Sequence, residues 1–444
     1  MRQRAWRYAL DVNREQGSRL ASHCGASRVA FNFGLGLVKD RLDARATGEE
    51  VEVPWSLPAL RREWNQAKAE VAPWWEENSK EAYSSGLDGL ARGLRGFSDS
   101  KGGRRQGRKV MFPRFRKKGD HDSCRFTTGA LRVEDERHVV LPRLGRLRTW
   151  EDTSSLLRPL STGARILSAT VSREADRWYV SFTVEVAERG DAPTAPDGAA
   201  VGVDLGLHAL AVLSTGEVVE GPKALERNLR KLQRLSRAHS RRKKGSANRH
   251  RAAQKLARCH ARIRHLRQDH LHKLTTRLAK SHGKVVVEDL NVQGMLRNHR
   301  LARSIADAGW YEFRRQLIYK TEWYGSELVV APRFLPSTQL CSDCGERTGP
   351  RGLEKLEVRR WACRACGCVH ERDENAALVL AGIAEMMENV AVSAVETENG
   401  SGAVEDRRGA GVREEGATEL QRASVSEPTG STGGRHRADV PFVP

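Results

Sequence analysis

Two pairs of cysteines constrain this chain more than any other feature. Cys341 and Cys344 form one C-x2-C knuckle and Cys363 and Cys366 form another, in the stretch CSDCGERTGPRGLEKLEVRRWACRACGCVHERDEN from Cys341 to Asn375. The spacer between them has zinc-ribbon length, and four thiolates so spaced can close tetrahedrally on one zinc ion with no open position for chemistry. Such a site staples a small knob; it does not catalyse. Seven residues beyond Cys366, Asp373 stands at a predicted helix start, in Arg372-Asp373-Glu374-Asn375-Ala376-Ala377. Cys368 lies just past the second knuckle, and Cys24, Cys124 and Cys259 are scattered. This is no disulfide framework and suits a reducing, cytoplasmic compartment.

Asp373 belongs with two other acids in costly places. Asp204 ends or interrupts the apolar run Val201-Gly202-Val203-Asp204-Leu205-Gly206, and Glu288 does the same in Val285-Val286-Val287-Glu288-Asp289-Leu290. Burying a carboxylate is expensive unless it is paired or bound to a cation. Singly, each has a plain explanation: Asp204 a turn cap, Glu288 or Asp289 a strand-end charge, Asp373 a helix N-cap. Together, at strand ends and a helix start of one α/β domain, they could converge on one sheet edge and hold two divalent cations about 3.5–4 Å apart, as phosphodiester cleavage requires. All-oxygen ligands favour Mg²⁺ or Mn²⁺ over zinc.

The rest of the chain points to a polyanionic partner. Lys and Arg number 76 against 56 Asp and Glu, a formal charge of +20 over 444 residues. That excess favours nucleic acid first and an anionic membrane surface second. No apolar run approaches the ~18–20 residues of a membrane span, and the N-terminus lacks the apolar core of a secretory signal. Residues 1–20 read as a short strand, with Trp6 and Tyr8 alternating with polar neighbours, and 21–100 read as helical, interrupted at Gly48 and Pro73. Trp55, Trp64, Trp74 and Trp75 fall there, either as packing between helices or as a platform for stacked bases. The Gly-rich basic loop 101–118 interleaves Phe112 and Phe115 with cations, and Arg114, Arg116, Lys117 and Lys118 are candidates for RNA or phosphate contact. Residues 123–186 alternate as strands and could form a small antiparallel barrel completed by the N-terminal strand.

After a Pro- and Gly-bearing stretch comes a long basic helical segment with two apolar faces. Leu225, Leu229, Leu232 and Leu235 make one; Leu256, Cys259, Ile263, Leu266, Leu274 and Leu278 make the other, with a break at Gly245-Ser246. From about Asn389 the sequence is Glu-, Gly-, Ser- and Thr-rich without periodicity, so 391–444 is expected to be a disordered tail.

Four stretches in order carry a family resemblance: VGVDLGLHALAVLSTGE, VVVEDLNVQGM, SIADAGWYEFRRQLIYKTEWYG and LPSTQLCSDCG…WACRACGCVHERDENAA. The chain resembles the TnpB (OrfB) proteins of bacterial insertion sequences, compact relatives of type V CRISPR effectors, over about residues 1–385. VMFPRFRKKGDHDSCRF is similar to the basic block that the family carries ahead of its nuclease. The resemblance implies a multidomain α/β protein: a wedge-like β-barrel (1–20 and 101–190) with an inserted helical recognition lobe (21–100), then a linker (191–199). A RuvC-type, ribonuclease H-like nuclease (200–340 and 367–390) would follow, with a zinc-ribbon insert (341–366). Asp204, Glu288 and Asp373 fall on the family's three nuclease acids, and Cys341, Cys344, Cys363 and Cys366 on its zinc ligands. His370-Glu371-Arg372-Asp373 replaces the family's usual His-Asp-Arg-Asp but keeps the terminal acid.

That resemblance implies a guide RNA from the element's own end and a double-stranded DNA target, with sequence read by RNA–DNA pairing. The protein would be nucleoid-associated when bound to DNA. Two other readings use the same residues: a transposase acting without guide RNA, and a non-catalytic nucleic-acid-binding regulator whose acids are caps.

Overall fold

A computed structural model describes residues 2–119, 122–187, 199–351 and 357–384. The expected linker, save its last residue, and the expected 391–444 tail lie outside the described residues. Among the described residues no helix is long and apolar enough to cross a membrane.

The N-terminal strand, Arg2–Asp11, is the spine of a seven-stranded antiparallel sheet. It pairs with Arg177–Val186 from Arg2↔Val186 to Leu10↔Trp178, and its end also meets Gly145–Thr149 through Leu10↔Thr149. From one edge the order is Ser123–Phe126, Arg165–Glu174, Arg177–Val186, Arg2–Asp11, Gly145–Thr149, His138–Leu141 and Arg132–Asp135. Tyr8, Leu10, Phe126, Val171, Val180 and Phe182 are buried in its core.

Three helices are inserted between the first strand and the Ser123–Phe126 edge: Arg14–Ala46, Leu57–Val71 and Lys80–Lys101. The first begins earlier than apolar periodicity alone suggests. Asn13 and Gln16 make a reciprocal capping box, which starts the helix while the residues are still polar. At Gly86 an added Cβ would lie 2.0 Å from the Ser27 carbonyl oxygen, so the first and third helices meet backbone to backbone. The tryptophans divide. Trp64 is buried and stacked on Tyr83 at 5.0 Å, and Trp75 lies beneath the Lys68 ammonium, whereas Trp55 and Trp74 are more than a third exposed.

The second sheet has five strands: Val201–Asp204, Ala211–Leu213, Val218–Val219, Lys284–Glu288 and Glu327–Ala331. In space they run third, second, first, fourth, fifth. The first three form an antiparallel meander, and the fourth and fifth join the first in parallel. Strand alternation divides the two faces. Val201, Val203, Val285 and Val287 pack with Leu271, Leu274, Phe313 and Leu317 from helices Ala247–Ser281 and Trp310–Tyr324. Val286, Val329 and Ala331 face the other way, against Leu380, Ile383 and Ala384 of a helical run at 372–384.

The long basic segment is a helical hairpin, Ala224–Ser240 and Ala247–Ser281, with Ser246 capping the second arm. That arm serves two partners. Cys259 and Ile263 face Leu225, Leu232 and Leu235, while Leu271, Leu274 and Leu278 face the sheet. Leu266, between the two zones, is 42% exposed. A single apolar stripe drifts around a helix this long, so one residue at the change of partner is left uncovered.

Gly202 decides where the last helix sits. An added Cβ would stand 1.9 Å from the Ala377 carbonyl oxygen and 2.6 Å from the Ala381 amide nitrogen. Gly202→Ala should therefore cost about 1–3 kcal/mol through overpacking, read as a lower urea midpoint. An unchanged midpoint would mean the helix does not press on this strand.

Candidate metal centres

The two knuckles are built alike. In each, the first cysteine's amide donates to the carbonyl five residues on: Cys341 to Glu346 (3.0 Å) and Cys363 to Cys368 (2.8 Å). Each ends in a glycine with positive φ, Gly345 at 76° and Gly367 at 78°. Only a residue without a Cβ turns the chain there at no steric cost. The sulfurs of Cys341, Cys344, Cys363 and Cys366 all lie within 4.8 Å of one another. Cys341 and Cys366 are 3.6 Å apart, as are Cys344 and Cys363. A tetrahedral zinc with ~2.3 Å arms has ligand–ligand edges of about 3.8 Å, so the set fits that ion. The Thr348 hydroxyl donates to Cys363 Sγ at 3.1 Å and leads the effects that pull this thiol down to about 6. His370, buried beside Trp361, places Nε2 3.0 Å from Cys341 Sγ, where it can orient the thiolate. Cys368 is not part of the four-sulfur set.

The ribbon is joined tightly to the second sheet's domain. Its hairpin, Arg360–Ala362 with Val369–Glu371, runs straight into the helical run at 372. Asn375, in that helix's first turn, donates to the Leu340 carbonyl (2.7 Å) and accepts from the Ser342 amide (2.9 Å). Both arms of the ribbon are thus held to the helix that carries Asp373. If the four thiols are a structural zinc site, the purified protein should contain one zinc per chain from this cluster, and chelation or Cys363→Ser should lower its melting temperature. A zinc-free protein with an unaltered melting curve would rule that out.

Two of the acids end adjoining strands of the five-stranded sheet, and the third begins the helix packed on that sheet. The parallel register aligns Val285 with Val201 and Val287 with Val203, so Asp204 and Glu288 are the next residues on adjoining strands. They share the face that carries Gly202, and the helix pressed on Gly202 begins at the same edge with Asp373 in its first turn. Asp204 is 8% exposed. Burial, then the charges of Glu288 and Asp373, push its pKa up to about 8, against the opposing pull of Arg372 and Arg359. Ser337 Oγ donates to Glu288 at 2.6 Å. Asp373 is gripped by two guanidinium groups, Arg359 on Oδ2 at 2.7 Å and Arg372 on Oδ1 at 2.9 and 3.0 Å. Among the described residues only cysteine-containing sets bring their donor atoms within 4.8 Å of one another; the three carboxylates do not. As a donor set they are all oxygen with one nearly buried, the kind a hard cation takes, while both Asp373 oxygens are engaged by guanidinium groups.

Ser337, Arg359, Arg372 and Asn375 are the parts of this site that sequence reasoning did not single out. Asp289 turns away from the cluster's chemistry and pairs with Arg314 (2.5 Å) and Arg333 (2.6 Å).

The basic candidates separate. Arg116 lays its guanidinium over the Phe31 ring at 3.8 Å, and its amide donates to Asn32 Oδ1 at 2.8 Å. Arg116 and Lys117, with Arg28, Arg92 and Arg125, line a cavity of about 790 Å³ between the helical insert and the first sheet. Arg114 and Lys118 are exposed on the same segment but do not line that cavity.

Known proteins share this arrangement of sequence. The family model described as Probable transposase (OrfB of IS605) matches residues 181–299, and a Cas12f1-like TNB domain model matches 310–380. A third, described as a Helix-turn-helix domain, matches 1–46, which here form one strand and one unbroken 33-residue helix. A Mycobacterium tuberculosis protein provisionally named RNA-guided DNA endonuclease Rv2885c is 41% identical over 400 residues, covering 85% of both chains. The similarly named InsQ of Escherichia coli is 31% identical, over 85% of this chain and 91% of that one. A solved Cas12f1–sgRNA–target DNA complex aligns over 82% of both chains at TM-score 0.44 and 15% identity. The chain belongs to the TnpB (OrfB) family of insertion-sequence proteins.

Between the ordinary aspartate value of 3.8 and about 8, native Asp204 keeps a proton that the unfolded chain has lost. Stability of the metal-free protein therefore falls as pH rises through that window. Asp204→Asn removes the penalty, so its melting temperature relative to the unsubstituted protein should climb between pH 5 and pH 9. Parallel pH profiles would show that Asp204 ionises as an exposed acid does.

Proposed function

We propose that this protein is an RNA-guided DNA endonuclease of an insertion sequence, with Asp204, Glu288 and Asp373 as ligands for two Mg²⁺ or Mn²⁺ ions in a RuvC-type site. The observation that carries this reading is that Asp204 and Glu288 immediately follow the paired Val203 and Val287 on parallel strands, with Asp373 in the first turn of the helix seated on Gly202. The strand order third-second-first-fourth-fifth supports a ribonuclease H-like core, and the first sheet with its helical insert supports a wedge and recognition lobe. The names of the relatives support guide RNA and DNA as partners.

When bound, the cations would supply an activated water and a counter-charge for the leaving oxygen. The protein's own groups do the rest. Asp204 would have to give up its proton to serve as a ligand. Ser337 fixes the orientation of Glu288. Arg359 and Arg372 neutralise Asp373. The excess of Arg and Lys grips nucleic-acid backbone without regard to sequence.

The test is to sequence RNA that copurifies with the full-length protein and to assay cutting of a matched DNA with and without it. Asp204→Ala should abolish Mg²⁺-dependent cutting and leave RNA binding intact. Retained cutting by that variant would remove the acid assignment. The description of the matched family as a transposase favours one rival, guide-free action; cleavage or strand transfer that needs no RNA would establish it.

A further inference from the structure

Phe334 is 91% exposed, the most exposed of the large apolar side chains among the described residues. It lies on the short connection between the strand Glu327–Ala331 and the ribbon, and that connection is held on both flanks. On one side, Arg333 donates to Asp289 through Nε (2.9 Å) and Nη2 (2.6 Å), and Asp289 is also held by Arg314. On the other, Ser337 donates to Glu288 at 2.6 Å. Between them the Leu335 amide closes a turn onto the Pro332 carbonyl (3.0 Å), and Leu335 packs against the core cluster of Val286 and Leu380. The segment is thus pinned to two consecutive acids, Glu288 and Asp289. The inward side chains on both flanks force the phenylalanine outward. A ring held in water forgoes the burial that drives folding, so a turn built this firmly to display one calls for an occupant with a flat apolar face.

We propose that Phe334 is a stacking platform for an unpaired nucleobase of the DNA strand presented to the Asp204–Glu288 edge. This rests on the nuclease reading above. Three observations favour a base. Phe334 is three residues from Ser337, at most about 11 Å along the chain, so it lies within a few nucleotides of a phosphate at that edge. Arg333 and Arg314 together outweigh the single charge of Asp289 beside it. The chain as a whole is strongly cationic. A basic surface with an exposed ring is what single-stranded nucleic acid uses when sequence is not read.

The experiment uses the full-length Asp204→Ala protein with two probes, a 20-nucleotide oligothymidine and an abasic deoxyribose-phosphate strand of equal length. Phe334→Ala should weaken oligothymidine binding about tenfold and leave abasic-strand binding unchanged, and Phe334→Trp should restore the difference. p-Benzoylphenylalanine placed at 334 should crosslink to the oligothymidine under near-ultraviolet light. Equal loss on both strands, or no loss on either, overturns the proposal. So does crosslinking at 334 to another protein or a second copy instead of DNA. If the unsubstituted protein cuts no DNA but the base-selective loss persists, the nuclease reading fails while the stacking site stands.

Discussion

The contact between Gly202 and the helical run at 372–384 is the constraint on which the second half of the molecule turns. A strand backbone and a helix backbone approach until no side-chain carbon fits between them. That closeness sets the depth of the helix, and the helix in turn carries Asp373, Asn375 and the exit of the cysteine ribbon. The ribbon's hairpin and Asn375 then fix the helix start from outside. Seating from within and clamping from without leave the first turn little freedom.

Electrostatics give that geometry its chemistry. Asp204 is buried beside two like charges and is driven toward its protonated form, while Asp373 is compensated by Arg359 and Arg372. The cluster is therefore asymmetric: one acid short of counter-charge, one oversupplied, and Glu288 oriented by a hydroxyl. A carboxylate in low dielectric next to other carboxylates is costly. Such an arrangement is stable while Asp204 stays a neutral acid.

The N-terminal half is organised differently. Its long strand pairs from Arg2 to Leu10 with Arg177–Val186, and the helical insert packs over the sheet with cations lining the space between. Two patches tie it to the helices of the second half. Arg2 reaches Glu322 at 3.1 Å and Arg4 lies over Trp323, while Glu174 receives Arg264 and His265 and Asp176 receives Arg258. These are ion pairs and a cation–π contact at partly exposed positions, so they respond to salt more than an apolar interface would.

The cysteine cluster was legible in the sequence because its geometry is local: two knuckles, each closing within a few residues, need only be brought together once. The apolar strands and the break at Gly245-Ser246 were legible for the same reason. Asp204 and Glu288 could be marked as misplaced acids, but their adjacency is a matter of parallel register between segments more than eighty residues apart, which only the sheet decides. Ser337, Arg359, Arg372 and Asn375 carried no signal of their own, since a serine, two arginines in a basic chain and an asparagine acquire a role only from what they touch. The early start of the first helix came from a cap, not from periodicity, and Leu266 lost its cover where its helix changes partners. Residue chemistry thus set which groups could bind metal or phosphate. Long-range register and the backbone contact at Gly202 decided which of them meet, because proximity between distant segments is a property of packing.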